Sequence, residues 1–436
     1  MLNCWRIVAL TGLAACCACS DSTTDPIPEE PVGLPDDPPE FTIFDFDGYA
    51  GDQYVQFYWN SHIDWMPGSP IPPPLKEIKL WMSLTGPSQD FFLLRSRLGP
   101  GVDSTSIADL ANGVSHYFRL TVHDSSDGVV AASRPIWVQP GPSIPPSIAI
   151  HVPQVLPDRA TLQGNRNLDW SPDGKWLAFV KADNGEVANL YLLGVDDLSV
   201  KQLTHYTQGT LSSPMWSPSQ DKLAFGGNNL SPLGWGARIW VTSLDGGEGQ
   251  PIPNSFGDLD FAPCWISDDA ILFCRGTSWA PNIPEFALVH LSDGIEQKLT
   301  FDQTIYKYNP VLSPTASVLA YSGYVSQVGG GILARSLWLF DLPSRHSHLL
   351  TENQYWDDTT PSWSPDGNQM LFASNRNGHF EIWSLDLVTR EEKQVTRSPQ
   401  HGFEILNAAI SPDGSELAYF RSSSTESWLE IRPSEP

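Results

Sequence analysis

The sequence predicts an all-β chain with two folded parts. Three observations carry this. The apolar runs are short and cut by Pro, Gly and Asp clusters, with no long stripe of 3.6-residue period. The 436 residues include 34 Gly and 38 Pro, a composition of many turns and few long helices. From Trp170 onward an anchor of the Trp-Ser-Pro type returns about every 48 residues. Hydrophobic content of 41% with 17 Trp and 19 Phe excludes wholesale disorder. The formal charge of −25 argues against nucleic acid, whose phosphates need clustered cations, and against anionic membrane surfaces.

Residues 1–15 read as a signal peptide. Arg6 precedes the apolar run Ile7 to Ala15, and about 13 apolar residues fall short of the ~20 that span a bilayer. The run ends Leu13-Ala14-Ala15-Cys16, which resembles the bacterial lipobox. That resemblance implies lipidation at Cys16. Cys17 and Cys19 lack a Leu three positions upstream and rank below it. Residues 16–40 are rich in Pro and acid without an apolar period, so they read as a tether. At ~3.1 Å per residue it would reach roughly 60 Å from the membrane.

Residues 41–140 carry the runs FTIFDF, YVQFYW, EIKLWMS, FFLLRSR, STSIADL, HYFRLTV and RPIWVQP. Short strands at this spacing predict a β-sandwich. The stretch from Leu110 to Val122, with Trp59, resembles the fibronectin type III pattern. His116 stands where that family has a corner Tyr, so it is expected to bond backbone, with Phe118, Leu120 and Val122 facing in beside it. Residues 141–147 form a hinge.

Residues 148–436 repeat. The anchors are Trp170-Ser-Pro-Asp-Gly, Trp216-Ser-Pro, Trp265-Ile-Ser-Asp, Leu312-Ser-Pro, Trp363-Ser-Pro-Asp-Gly and Ile410-Ser-Pro-Asp-Gly. Each is followed by an apolar strand such as KWLAFV or QMLFAS, then a third such as NLYLLGV or EIWSLDL. Pro fixes φ at the first turn position and Gly accepts φ > 0 at the turn's end. Six such units at this period predict a six-bladed β-propeller. The anchors, together with SNRNGHFEIWSLDL at 374–387, resemble the TolB-like propeller repeats. The sixth unit stops after three strands, and the segment from Ile148 to Leu156 is expected to supply the fourth and remove the open edge.

The chain lacks a G-x-S-x-G elbow, an H-E-x-x-H helix, a P-loop and, in the body, a C-x-x-C pair. Cys264 and Cys274 lie on adjacent strands, either paired or simply buried. His346 and His348 share a strand face without an evident carboxylate. No cofactor and no metal are expected. The candidate binding face is the one opposite the Ser-Pro-Asp-Gly turns. Its long loops carry Trp235, Trp279 and Tyr324. Its inter-blade segments carry Asp258, Asp260, Tyr306, Tyr308, Asp357, Asp358, His401 and Glu404. Aromatics beside carboxylates suit a basic peptide, a protein or a glycan.

These readings point to a monomeric cell-envelope lipoprotein with a non-catalytic propeller head. The outer membrane is favoured over the inner. The alternatives are a propeller lyase or glycosidase, or a purely structural, adhesive lipoprotein.

Overall fold

A computed structural model describes residues 46–59, 75–87, 90–98, 104–142, 148–152, 167–183, 187–230, 236–255, 259–276, 283–302, 304–325, 334–352, 355–398, 402–423 and 426–434. Among them there is no helix, and so none long and apolar enough to cross a membrane. The expected lipidation site Cys16 and the tether lie outside the described residues. The chain divides into two compact units: one comprises Met1–Ile144, Asn375–Phe380 and Thr396–His401, the other the remainder.

The first unit holds strands β1 (Phe46–Gly51), β2 (Tyr54–Trp59), β3 (Leu75–Ser83), β4 (Phe92–Leu98), β5 (Ser104–Ile107), β6 (His116–Asp124), β7 (Val129–Ala132) and β8 (Ile136–Val138). One sheet has the order β1-β2-β5, the other β4-β3-β6-β7, with β8 also paired to β6. Alternation on β2 turns Val55, Phe57 and Trp59 inward, and β6 does the same with Phe118, Leu120 and Val122. Both sets belong to one apolar cluster with Leu80 and Ile136. Fully burying a side chain of this size contributes about 1.5–3 kcal/mol. His116 is fully buried, and its Nδ1 lies 2.8 Å from the Val114 carbonyl oxygen. One strand differs from the sequence reading: β7 arises from Val129-Val130-Ala131-Ala132, too short a run to stand out before its partner β6 is known.

The second unit begins with β9 (Ile148–Val152) and then repeats an antiparallel meander. The strands are β10 (Leu168–Trp170), β11 (Trp176–Asp183), β12 (Val187–Gly194) and β13 (Val200–Gln202), then β14 (Thr210–Trp216), β15 (Lys222–Asn228), β16 (Ala237–Ser243) and β17 (Gln250–Pro251). They continue as β18 (Leu259–Ser267), β19 (Ala270–Gly276), β20 (Glu285–His290) and β21 (Glu296–Lys298), then β22 (Ile305–Leu312), β23 (Val318–Val325), β24 (Ser336–Asp341) and β25 (His346–Leu349). Last come β26 (Asp358–Trp363), β27 (Gln369–Ser374), β28 (Glu381–Asp386) and β29 (Glu392–Gln394), and β30 (Glu404–Ile410), β31 (Glu416–Ser422) and β32 (Ser427–Pro433). The first strand of each meander touches that of the next, and β30 touches β10, so the innermost strands form a cycle. This is a β-propeller.

Closure is covalently distant and physically specific. The segment β9 pairs antiparallel with β32, Ile148 opposite Ile431 and Val152 opposite Ser427, and completes the last sheet. Val152, Leu168, Trp170 and Phe179 from the start share a cluster with Ala409, Phe420, Leu429 and Ile431 from the end. The anchor tryptophans stitch neighbouring sheets. Trp216 Nε1 donates to Asp169 O at 3.2 Å, Trp265 to Met215 O at 3.1 Å and Trp363 to Val311 O at 3.2 Å. Trp170 Nε1 donates to Ala409 O at 3.0 Å, the same bond made between the first sheet and the last. An indole N–H needs such a partner when buried, which gives the recurrent Trp its reason.

The turns after the anchors hold where glycine is missing. Gly174, Gly367 and Gly414 have φ of 73°, 75° and 79°, and at the corresponding places Gln220 and Ala316 take 64° and 55°. Cys264 and Cys274 are buried thiols not joined by a disulfide, and burial pushes the Cys274 thiol upward.

Candidate functional site

The propeller has two ends: the anchor turns at one, and the ends where β22 begins and β23 finishes at the other. Tyr306 and Tyr308 stand two apart on β22 and therefore on one strand face. Register places Tyr306 opposite Tyr324 of β23. Their rings stack with centroids 4.4 Å apart and planes 12° from parallel. Tyr308 lies 6.2 Å from Tyr324 and 5.8 Å from Phe261 of the neighbouring strand β18. The Arg335 guanidinium sits 5.7 Å over the Tyr308 ring. Burial, then a hydrogen bond with Tyr324, pushes the Tyr308 phenol well above its ordinary value. The Tyr308 phenol is therefore neutral across the physiological range, and it offers an O–H and an aromatic face.

Asp357 fixes the edge of this cluster: its Oδ1 accepts from Arg335 N at 2.8 Å, and Asp358 N donates to Arg335 O at 2.9 Å. The Asp358 side chain is buried. Asp260 is also inside, at 1% exposure, where Arg275 grips both its oxygens at 2.7 and 2.9 Å. Arg275 further donates to Glu296 at 2.6 Å. Asp260 and Asp358 therefore do not present charge to a partner, contrary to the sequence reading. Both stand five residues before their anchors, a position that turns into the junction between sheets. Lys307 stands at the same place before Leu312. It is wholly buried and lies 3.1 Å from Glu285 and 3.0 Å from Asp302, with Thr300 bonded to Glu285. Burial raises Asp302, but the Thr304 amide and Lys307 outweigh it and hold its carboxyl below the usual range.

Of the residues singled out from sequence, the structure brings together Tyr306, Tyr308, Tyr324 and Asp357. Glu404 begins β30, a different innermost strand, and is half-buried. Trp235, Trp279, Asp258 and His401 lie outside the described residues. Phe261 and Arg335 were missed. Phe261 had a usable signal, since it precedes Trp265 by four residues as Tyr308 precedes Leu312. Arg335 had none, because no local pattern pairs it with Tyr308, twenty-seven residues earlier in the chain.

At the turn end, a cavity of about 330 Å³ is lined by Pro172, Asp173, Gly174, Ser411, Pro412, Asp413, Ser415 and Glu416. Hydrogen bonds from Ser411 and Ser415 hold the Asp413 carboxyl down at about 2, while burial, then Asp413 and Asp196, push Glu416 upward. Among the described residues no three His, Cys, Asp or Glu side chains are placed to hold a metal ion.

No family model matches the chain. It is 23% identical over 169 residues to a TolB homologue of Protochlamydia amoebophila, covering 37% of this chain and 35% of that protein. It is 22% identical over 322 residues to dipeptidyl-peptidase 5 of Porphyromonas gingivalis, covering 62% of this chain and 46% of that protein. The chain thus spans about a third of one relative and under half of the other. Among solved structures, TolB from Acinetobacter baumannii superposes with a TM-score of 0.44 at 17% identity, covering 74% of this chain and 79% of that one. Over the matched residues the repeat is similar to that of the TolB homologue.

Proposed function

We propose that this chain is an envelope lipoprotein, acylated at Cys16 and held off the membrane by its acidic tether. Its first unit is read as a fibronectin type III-like sandwich and its second as a closed six-bladed propeller that binds a protein or peptide. The outer membrane is the favoured site. The observation that carries the reading is the cluster of Tyr306, Tyr324, Tyr308 and Phe261 at one end of the propeller. Rigid aromatic side chains lose little entropy on docking and account for a large share of binding energy at interfaces. The net charge of −25 favours a cationic partner and speeds its approach. Cross-reactivity with a glycan is chemically compatible with the same rings, but the charge favours the peptide.

The test compares two surfaces of the acylated protein in its native envelope. A Tyr306→Ala, Tyr324→Ala variant should fold and should weaken cross-linked capture of its partners at least about tenfold, or ~1.4 kcal/mol. An Asp173→Asn, Asp413→Asn variant at the turn end should retain capture. The reverse result would move the binding face to the turns. In parallel, Cys16→Ser should abolish palmitate labelling, and full labelling would remove the anchor from this account.

A further inference from the structure

The segment Asn375–Phe380 falls between β27 and β28 in the chain, yet it belongs to the first unit. It carries the sequence NRNGHF, which none of the other repeats has at this place. Among the described strands β1 ends the order β1-β2-β5, and β8 is joined to the other sheet through β6. The two strands meet at Gly48, where a Cβ would overlap Ile136 and Val138 of β8. Strand edges of this kind carry backbone N–H and C=O groups that need partners. Here one short segment supplies them. Trp137 N–H donates to Arg376 O at 2.6 Å, and Gly48 N–H donates to Asn377 O at 2.8 Å. Two consecutive carbonyls thus each take an N–H from a different sheet. The Asn377 Nδ2 lies 3.5 Å from Gly48 O on the return side.

The side chains lock the same contact. Arg376 is 1% exposed, and its guanidinium lies 4.4 Å over the Trp137 ring. That ring stacks in turn on Tyr117, with centroids 5.6 Å apart. The His379 ring lies flat on Tyr49, centroids 4.0 Å apart and planes 8° from parallel. Gly378 stands between these stacks with φ of 103°, and a Cβ there would overlap Phe46 O and the Asp47 Cα. Only glycine combines that φ with so close an approach of two backbones. A loop that merely rested on the surface would need neither the glycine nor the buried cation nor the two ring stacks.

We infer that residues 376–379 are a clip that closes the edges of both sheets of the first unit. The first unit is therefore not a free-standing module. It is finished by a residue 329 positions beyond the Gly48 to which it bonds. Arg397 makes a further link of this kind, its Nε donating to Gln139 O at 3.2 Å just past β8. With the clip displaced, β1 and β8 would present two adjacent unpaired edges, a surface on which an extended strand of another chain can add.

The test is amide hydrogen exchange of the full chain, read by mass spectrometry on peptides covering β1 and β8. In Gly378→Val both should exchange at least about tenfold faster than in the parent, while peptides from β3 and β30 keep their protection. Unchanged exchange at both edges would overturn the clip. Equal acceleration in β30 would overturn it too, because Gly378 would then serve the chain at large and not these edges. Arg376→Met separates the contact from any backbone strain that valine introduces. It keeps the length of the side chain, removes the charge over Trp137 and should speed exchange in the β8 peptide above all. A β8 peptide that exchanges as in the parent would sink the proposal.

Discussion

At the turn end of the propeller, five sheets make one bond in one way. The hydroxyls of Ser171, Ser217, Ser313, Ser364 and Ser411 accept from the backbone N–H five residues on, at 2.9, 3.1, 3.2, 2.9 and 2.9 Å. At the other end the corresponding positions differ from sheet to sheet. Five residues before the anchor stand Leu211, Asp260, Lys307, Asp358 and Ile405, and the charged ones that can be traced meet different partners from neighbouring strands. The repeated end maintains the fold. The divergent end is free to carry function, because the shared turns already fix each strand's register.

The largest effect that could break this contrast concerns closure, which both ends need. Deleting 148–152 removes the strand paired with β32 and exposes an edge. That form should aggregate or lose cooperative thermal unfolding. Unchanged melting would show that the ring holds without β9.

A smaller effect separates the two ends. Lys307→Met leaves Glu285 buried without its cation and should cost about 3 kcal/mol in urea unfolding. Lys175→Met at the turn end removes only an exposed pair with Asp173, 3.7 Å apart, and should cost less than about 0.5 kcal/mol. Equal costs would abolish the distinction between them.

The regular turns can also be sharpened. Ala316 holds φ of 55° where other turns have glycine. Ala316→Gly should therefore stabilise by up to about 1 kcal/mol, whereas Gly367→Ala at φ of 75° should destabilise by a similar amount.

The smallest expected effect is on pH. Hydrogen bonds, chiefly from Ser171, Ser364 and Ser411, hold Asp173, Asp366 and Asp413 below the ordinary 3.8. Because their folded values are depressed, their stabilisation is full above 3.8 and fades as pH falls toward about 2. Melting temperature should be flat from neutral pH into the mild acid range and decline below pH 3.8. Glu416, raised by burial, acts in the opposite sense and regains stability on protonation. A melting temperature that rises as pH falls toward 4.5, before that decline begins, would show the Glu416 contribution.

Much of this architecture is legible before folding. The anchors, the apolar second and third strands and the turn residues are local patterns, and local patterns determine which side of its own strand a side chain occupies. The spare strand was legible too, as an apolar run from Ile148 to Leu156 ahead of the first anchor, in which β9 occupies 148–152. The divergent end was legible only in part. Tyr306 and Tyr308 fall on one face by spacing alone, but their stacking on Tyr324 and contact with Phe261 depend on two other strands. Asp260 and Asp358 read as surface acids, since nothing local distinguishes an aspartate bound for the junction between sheets from one bound for water. For Asp260 the difference is made by Arg275, fifteen residues further along the chain. A strand's own periodicity specifies its two faces. What each face meets is settled by the sheet that packs against it.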